Sequence, residues 1–183
     1  MKIADTPSPK DVTLKWIQQV VIGENLCPFA RPILDRLTLT VLTGLARDSF
    51  IDAVVSHVLG LLDHSANDRP TSILIMKDLG HDFEDYLDLA DLANAVLDET
   101  GVADEIQIAT FHPQYQFADS DADDPANWTN RSPLPMLHFL RTADVASAGL
   151  DYPDVELIPE RNIQRFRVLG RATVQRLRET CFK

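Results

Sequence analysis

The sequence predicts one α/β domain in which a small parallel or mixed sheet lies between helices. The chain has 183 residues and 45% of them are hydrophobic, which is enough for a substantial core. Short apolar runs rich in β-branched residues alternate with longer segments of helical periodicity. Such alternation favours parallel strands joined by helical crossovers. The seven glycines form none of the glycine-rich motifs that bind phosphates or dinucleotides.

The first elements are predicted by simple patterns. Residues 1–9 contain two prolines and predict a disordered tail, so the domain is expected over residues 10–183. Residues 10–23 have a broad apolar face and predict a helix, which Gly23 ends. Alternating Leu, Thr and Val predict a strand over residues 37–43.

The middle of the chain carries the clearest alternation of helix and strand. A wide apolar arc predicts a helix over residues 48–64, and the apolar run at residues 72–76 predicts a buried strand. Residues 82–100 are amphipathic and predict a helix with Gly101 as its C-cap. A third strand follows over residues 105–111. These elements give the order β-α-β-α-β.

The last third is less regular. Residues 112–135 contain four prolines and four acidic residues without helical periodicity. A short helical stretch is predicted to begin at residues 136–141 and to run to residue 148. Residues 152–159 are expected to be extended or loop, and residues 160–181 predict the last helix. A further strand near residues 155–158 would instead favour a ferredoxin-like α+β arrangement.

Charge and cysteine content argue against several classes of protein. The net charge of −11 argues against nucleic-acid binding. No segment looks like a secretory signal or reaches the roughly 18 apolar residues of a membrane span, so we expect a cytoplasmic protein. From Ile158 onward seven Lys or Arg face two Glu, and this basic end could pair with the acidic body or hold an anionic ligand. Two cysteines without a C-x-x-C motif predict no structural metal site.

Two residues are candidates for acid–base or nucleophilic chemistry. Cys27 precedes Pro28 and could cap a helical turn, where the backbone dipoles would lower its pKa. The alternative is a buried cysteine that packs as a small hydrophobe. His112 follows a strand and is restrained by Pro113, so it could act as a general acid or base with Tyr115 nearby. The alternative is a histidine that hydrogen-bonds a loop.

Polar side chains in proline-rich segments are candidates for binding an anion. If residues 136–141 are helical, His138 and Arg141 share one face, and His138 becomes a third catalytic candidate. We expect Cys27, His112 and His138 to line one cavity. The predicted ligand contacts are Tyr115, Asn130, Arg131, Arg141, Arg161 and Asn162. The alternative is that these arginines pair with neighbouring acidic residues.

Four motifs carry a resemblance to a known family. They are Asn-Leu-Cys-Pro-Phe-Ala at residues 25–30, Phe-His-Pro-x-Tyr-x-Phe at 111–117, Thr-Asn-Arg-Ser-Pro-x-Pro-x-Leu-His at 129–138 and Ile-Pro-x-Arg-Asn at 158–162. The chain resembles, over nearly its whole length, a bacterial family catalogued only as a domain of unknown function. The resemblance implies no activity, substrate or cofactor, but the polar segments above coincide with its motifs.

Three functions remain open from the sequence. The first is an enzyme that acts on a small anionic, possibly phosphorylated, metabolite with Cys and His chemistry. The second is a ligand-binding or regulatory module without catalysis. The third is a metal-handling protein, although the spacing of Cys27, His112 and His138 provides no local pair of ligands. The sequence identifies no cofactor and does not fix the oligomeric state.

Overall fold

A four-stranded mixed sheet forms the centre of the fold in the computed structural model, which describes residues 6–65, 68, 70–150 and 152–183. The strands lie in the order β1-β2-β4-β3. They are β1 (Leu37–Leu42), β2 (Thr71–Met76), β3 (Ile106–Phe111) and β4 (Met136–Arg141). β1 and β2 are parallel, whereas β4 runs antiparallel to both of its neighbours, β2 and β3. The three predicted strands therefore share one direction, and the α/β prediction with a mixed sheet is confirmed.

The described residues form six α-helices. They are α1 (Pro9–Trp16), α2 (Arg47–Leu62), α3 (Phe83–Thr100), α4 (Thr142–Gly149), α5 (Ile158–Leu169) and α6 (Arg171–Thr180). α2 and α3 pack on one face of the sheet. α1, its continuation as a π-helix over Ile17–Ile22, α5 and α6 pack on the other face. No helix in the described part of the chain is long and apolar enough to cross a bilayer.

The apolar run of β2 is explained by burial on both faces. All six of its residues are buried. Leu74 and Met76 belong to the core under α2 and α3, whereas Ile73 and Ile75 belong to the core under α1, α5 and α6. β1 is an edge strand and alternates between partly buried and exposed residues along most of its length. The sequence patterns of the two strands differ because helices cover both faces of β2, whereas α2 covers β1 only partly.

Helix termini follow the predicted capping chemistry. The Asp82 side chain accepts hydrogen bonds from the backbone N–H groups of Glu84 and Asp85 at the start of α3. Gly101 ends this helix with φ +72°, a left-handed conformation that glycine adopts without steric cost. Ser8 caps α1, which begins at Pro9, so the last residue of the predicted tail belongs to this helix. Residues 1–5 lie outside the described residues.

The prediction of a helix beginning at residues 136–141 is wrong, because these residues form β4. β4 is hydrogen-bonded on both sides and buries apolar side chains towards both helical layers, so its apolar residues lack strict alternation. The helix that follows begins only at Thr142. His138 and Arg141 consequently do not share a helical face, since residues three apart on a strand point to opposite sides of the sheet.

The last predicted helix is also different in the structure. It is divided into α5 and α6 at Gly170, whose φ of +76° is outside the helical region. Residues 155–157 form a short 3-10 helix rather than a strand. The ferredoxin-like alternative depended on a strand there, and the fourth strand is instead β4.

Candidate functional site

A cavity of about 240 Å³ lies between the turn around Cys27 and the start of α5, and we call it the turn–helix cavity. Its walls come from two segments that are far apart in the sequence. They are lined by Glu24, Asn25, Pro28, Tyr152, Ile158, Arg161, Asn162 and Arg165. The cavity therefore joins residues 25–30 to residues 158–162, which are two of the four sequence motifs.

The turn at the start of this cavity is fixed by the end of the π-helix Ile17–Ile22. The backbone N–H of Leu26 donates to the carbonyl oxygen of Val21 at 2.8 Å, and the Leu26 side chain is buried in the core. Asn25 takes the left-handed conformation with φ +56°. Asn is among the few non-glycine residues that adopt this conformation readily. The turn thus presents Asn25 to the cavity while Leu26 anchors it.

The start of α5 is bound to this turn directly. Pro159 occupies the first turn of α5. Backbone N–H groups in the first turn have no partner within the helix, so the N–H that proline lacks is not missed there. One turn later, the Asn162 side chain donates from Nδ2 to the carbonyl oxygen of Leu26 at 2.7 Å. The rings of Phe29 and Tyr152 make an edge-to-face contact at 5.3 Å beside it. These contacts fix the positions of the two cavity walls relative to each other.

Two arginines bring positive charge to the cavity. Arg165 donates from Nε and Nη2 to one carboxylate oxygen of Glu24, at 3.1 and 2.8 Å. Arg161 donates from Nη2 to Asp154 at 3.2 Å, and both of these side chains are about half exposed. In the described residues Arg161 makes this one hydrogen bond, so most of its five N–H donors remain available. Exposed ion pairs of this kind contribute only about 0–1 kcal/mol.

Cys27 lies in the turn but does not line the cavity. As predicted for a capping position, the backbone N–H groups of Phe29 and Ala30 face the thiol and act to lower its pKa. Burial outweighs them and raises the pKa of the Cys27 thiol above its ordinary value. These surroundings favour the alternative, in which Cys27 packs as a small hydrophobic residue.

His112 is completely buried at the end of β3 and is held by its neighbours. Its Nδ1 accepts from the backbone N–H of Gln114 at 3.0 Å, so Nε2 carries the proton and donates to the carbonyl oxygen of Gly80 at 2.9 Å. Its ring lies against Phe83 and Tyr86. Burial lowers the pKa of His112. Both ring nitrogens are in use, and this arrangement supports the structural interpretation of His112.

His138 lies on β4 at a different place in the sheet. Its Nε2 is 2.5 Å from the hydroxyl of Thr71 on β2, and burial lowers its pKa to about 4. The ring is therefore neutral at pH 7. Cys27, His112 and His138 have separate surroundings, and the described cavities include none of the three. The structure does not bring the predicted catalytic residues together in a shared cavity.

Arg131 is used to hold the loop in which it lies. It donates from Nε to the carbonyl oxygen of Tyr115 at 2.8 Å and from Nη2 to that of Ala122 at 2.9 Å. Its guanidinium also lies 5.2 Å from the centre of the Trp128 ring. Partial burial lowers the pKa of Arg131. These contacts correspond to the alternative in which the arginine rigidifies a loop.

Asn130 and Tyr115 have similar structural contacts. The Asn130 side chain donates to the carbonyl oxygen of Thr110 at 3.1 Å, and its backbone carbonyl accepts from the N–H of His112 at 3.2 Å. The Tyr115 ring packs on Phe83 at 5.4 Å. Both residues therefore fasten the loop to the end of β3.

Arg141 is bound at the other end of β4. Its Nε is 2.6 Å from a carboxylate oxygen of Asp144, and its Nη1 donates to the carbonyl oxygens of His64 and Ser65 at 3.0 and 3.1 Å. The predicted grouping of Arg141 with His138 depended on a helix that does not form. Of the predicted ligand contacts, Arg161 and Asn162 line the turn–helix cavity, whereas Tyr115, Asn130, Arg131 and Arg141 do not.

Sequence reasoning missed several lining residues, namely Glu24, Asn25, Tyr152 and Arg165. Asn25 carried a usable signal, since an Asn that follows a helix and precedes a buried Leu is typical of a left-handed turn residue. The pairing of Glu24 with Arg165 joins positions 141 residues apart, and nothing local in the sequence indicates it.

The fold and the cavity define a class of α/β protein with a mixed four-stranded sheet and a small polar cavity on one helical layer. The family described as "Protein of unknown function (DUF1415)" matches residues 9–176, so the chain belongs to that family. No curated protein and no solved structure matches the chain.

Proposed function

We propose that the protein binds a small anionic metabolite in the turn–helix cavity. The supporting observation is that Arg161, Arg165, Asn25 and Asn162 converge there from two distant segments. Guanidinium groups bind carboxylates and phosphates through paired N–H donors, and amide side chains orient them. At about 240 Å³ the cavity is smaller than the range of roughly 300–1,000 Å³ common for ligand pockets, so the ligand is small.

Binding without catalysis by Cys27, His112 and His138 fits the geometry better than the enzyme hypothesis does. Both nitrogens of His112 are occupied by backbone groups, and burial raises the pKa of Cys27. The metal-handling hypothesis has no support, since no three His, Cys, Asp or Glu converge among the residues that the structure describes. We place this binding protein in the cytoplasm of a bacterial cell, where its two free cysteines would remain reduced.

Calorimetric titration and thermal unfolding with three anions test this proposal. Inorganic phosphate, 3-phosphoglycerate and citrate are the probes. At least one should bind, and at 100 times its Kd it should stabilise the fold by about 2.7 kcal/mol. Added salt should weaken the binding.

Arg161→Gln should abolish this binding while leaving the stability of the free protein almost unchanged. Arg176→Gln is the matched control, since Arg176 is exposed on α6 and does not line the cavity. The proposal fails if none of the three anions binds, or if the Arg161→Gln protein binds as well as the control does.

A further inference from the structure

A second cavity, of about 310 Å³, lies on the face of the sheet that α2 covers, and we call it the hydroxyl cavity. It forms because β1 is an edge strand that α2 only partly covers. Thr38 and Thr40 of β1 are paired in register with Ser72 and Leu74 of β2, so they point to the α2 side and remain exposed. Ser56 of α2 faces them across the cavity. Five residues with hydroxyl side chains therefore belong to its lining, namely Thr38, Thr40, Ser56, Thr71 and Ser72. The Ser56 hydroxyl donates to the carbonyl oxygen of Asp52 and remains able to accept.

His57 of α2 also lines this cavity and is unusual in its bonding. Its side chain is deeply buried, with 7% exposure for the residue, and its ring stacks on Phe139 at 5.1 Å. Nδ1 lies 2.8 Å from the hydroxyl of Ser72, whereas Nε2 has no hydrogen-bond partner in the described part of the chain. Burial lowers the pKa of His57 to about 4, so the ring is neutral at pH 7. Buried polar atoms are rarely left unpaired, so Nε2 is a candidate to bond a partner held in this cavity.

The chemistry of the lining defines that partner. Hydroxyl groups donate and accept, and a neutral imidazole donates from one nitrogen and accepts at the other. Ala53 and Leu61 add apolar wall. Positive charge at this end of the cavity is balanced, because Asp68 lies close enough to Arg36 and His64 for both to lower its pKa. A lining that is neutral, hydroxyl-rich and partly apolar complements a neutral ligand with several hydroxyl groups and C–H faces.

We infer that the hydroxyl cavity is a second binding site, for a small neutral polyhydroxylated molecule such as a pentose or a polyol. This site is independent of the turn–helix cavity, since the two have no lining residue in common and lie on opposite faces of the sheet. The ligand would supply the missing partner of His57 Nε2 and would contact the hydroxyls of Thr38 and Thr40.

Titration of the whole protein with D-ribose and with xylitol tests this inference. The reporter is the nitrogen chemical shift of His57 Nε2, measured by nuclear magnetic resonance at pH 7. At least one probe should shift this resonance saturably, with a Kd of about 1 mM or below. Thr40→Val preserves the size of an exposed side chain and should weaken binding about tenfold by removing one hydroxyl.

His57→Gln lacks the reporter nitrogen, so calorimetric titration with the same probes follows its binding, which should weaken to a similar extent. Arg161→Gln should leave binding unchanged because that residue lines the other cavity. The inference is overturned if neither probe shifts Nε2 saturably, or if Thr40→Val binds as tightly as the wild type. It is also overturned if inorganic phosphate produces the saturable shift and both polyhydroxylated probes do not. Failure of anion binding at the turn–helix cavity would not affect any of these outcomes.

Discussion

Two polar regions of this molecule use their side chains in opposite ways. In residues 112–141, which run from the end of β3 through β4, the polar side chains bond mainly to backbone carbonyls and amides of the same domain. In the turn–helix cavity, Arg161 and Arg165 contact only carboxylates, and they do so at half-exposed positions. Both regions contain Arg, Asn and Pro in stiff segments. The difference lies in how many donors remain for a ligand.

That difference has a physical cause in burial. A loop that packs against the sheet must satisfy its backbone polar groups within the protein, because water cannot reach them. Arg131 and His112 perform this task for residues 112–135. In the turn–helix cavity the Asn162 amide performs this task for the carbonyl of Leu26, whereas the half-exposed guanidinium groups of Arg161 and Arg165 bond carboxylates instead. The comparison predicts large losses of stability in the first region and small losses in the second.

The largest effect is expected for His112→Ala. The substitution leaves the carbonyl of Gly80 and the N–H of Gln114 without partners, at about 1–3 kcal/mol each, and opens a space beside Phe83 and Tyr86. We expect the free energy of unfolding to fall by about 4 kcal/mol in urea titrations. His81→Ala is the control at an exposed position and should change it by less than about 0.5 kcal/mol. Equal effects of the two substitutions would mean that His112 is not structural.

Arg131→Ala should cause the next largest loss of stability. It removes two charge-assisted hydrogen bonds to carbonyl groups and the contact with Trp128. We expect a loss of about 3 kcal/mol in unfolding free energy, against about 0.5 kcal/mol or less for Arg161→Ala, whose ion pair is exposed. Urea unfolding of the two variants measures this contrast directly. If Arg131→Ala were the milder change, the assignment of structural and binding arginines would be reversed.

Acid should destabilise the first region through His138. Its pKa is about 4 in the folded protein and 6.5 in the unfolded chain, so between these values the unfolded state binds more protons. Stability is therefore full above pH 6.5 and falls as the pH decreases towards 4. The contribution lost by pH 5 is about 2 kcal/mol, and His57 titrates in the same direction.

Unfolding in urea at pH 7 and pH 5 measures this effect. In the His138→Gln variant the difference between the two pH values should be about 2 kcal/mol smaller than in the wild type. An unchanged difference would show that His138 is not the group responsible.

Much of the fold could be predicted because its signals are local. The helix Phe83–Thr100 has its N-cap, amphipathic face and Gly101 within one segment, and the buried strand Thr71–Met76 is a continuous apolar run. β4 could not be predicted in the same way. Its pattern results from being inserted between β2 and β3, which is a relation between segments rather than a property of Met136–Arg141.

Only part of the candidate site could be predicted, because only some of its residues carry a local signal. Arg161 and Asn162 were identified because they follow a proline at a helix start, which is a local signal. The grouping of Cys27 with His112 and His138 was an assumption that similar polar segments meet. The two histidines belong to neighbouring strands but face opposite sides of the sheet, since His138 pairs with Ile73 on one face and His112 packs on α3 at the other. Whether an arginine is consumed by carbonyl groups, as Arg131 is, depends on the folded path of the loop. Sequence alone identifies the donors but not the acceptors that they find.

The smallest effect concerns access to Cys27 rather than stability. Burial raises the pKa of both thiols, so iodoacetamide should modify each of them more slowly than a free cysteine. Cys27 should react before Cys181, because it is partly exposed whereas Cys181 is fully buried.

Asn162→Ala removes the 2.7 Å bond to Leu26, loosens the turn and should accelerate labelling of Cys27 several-fold. Asn94→Ala on α3 is the control and should leave the rate unchanged. Mass spectrometry of the labelled peptides over time gives both rates. Labelling of native Cys27 at the rate of a free thiol would show that the capping amides prevail over burial, and it would restore this cysteine as a nucleophile beside the cavity.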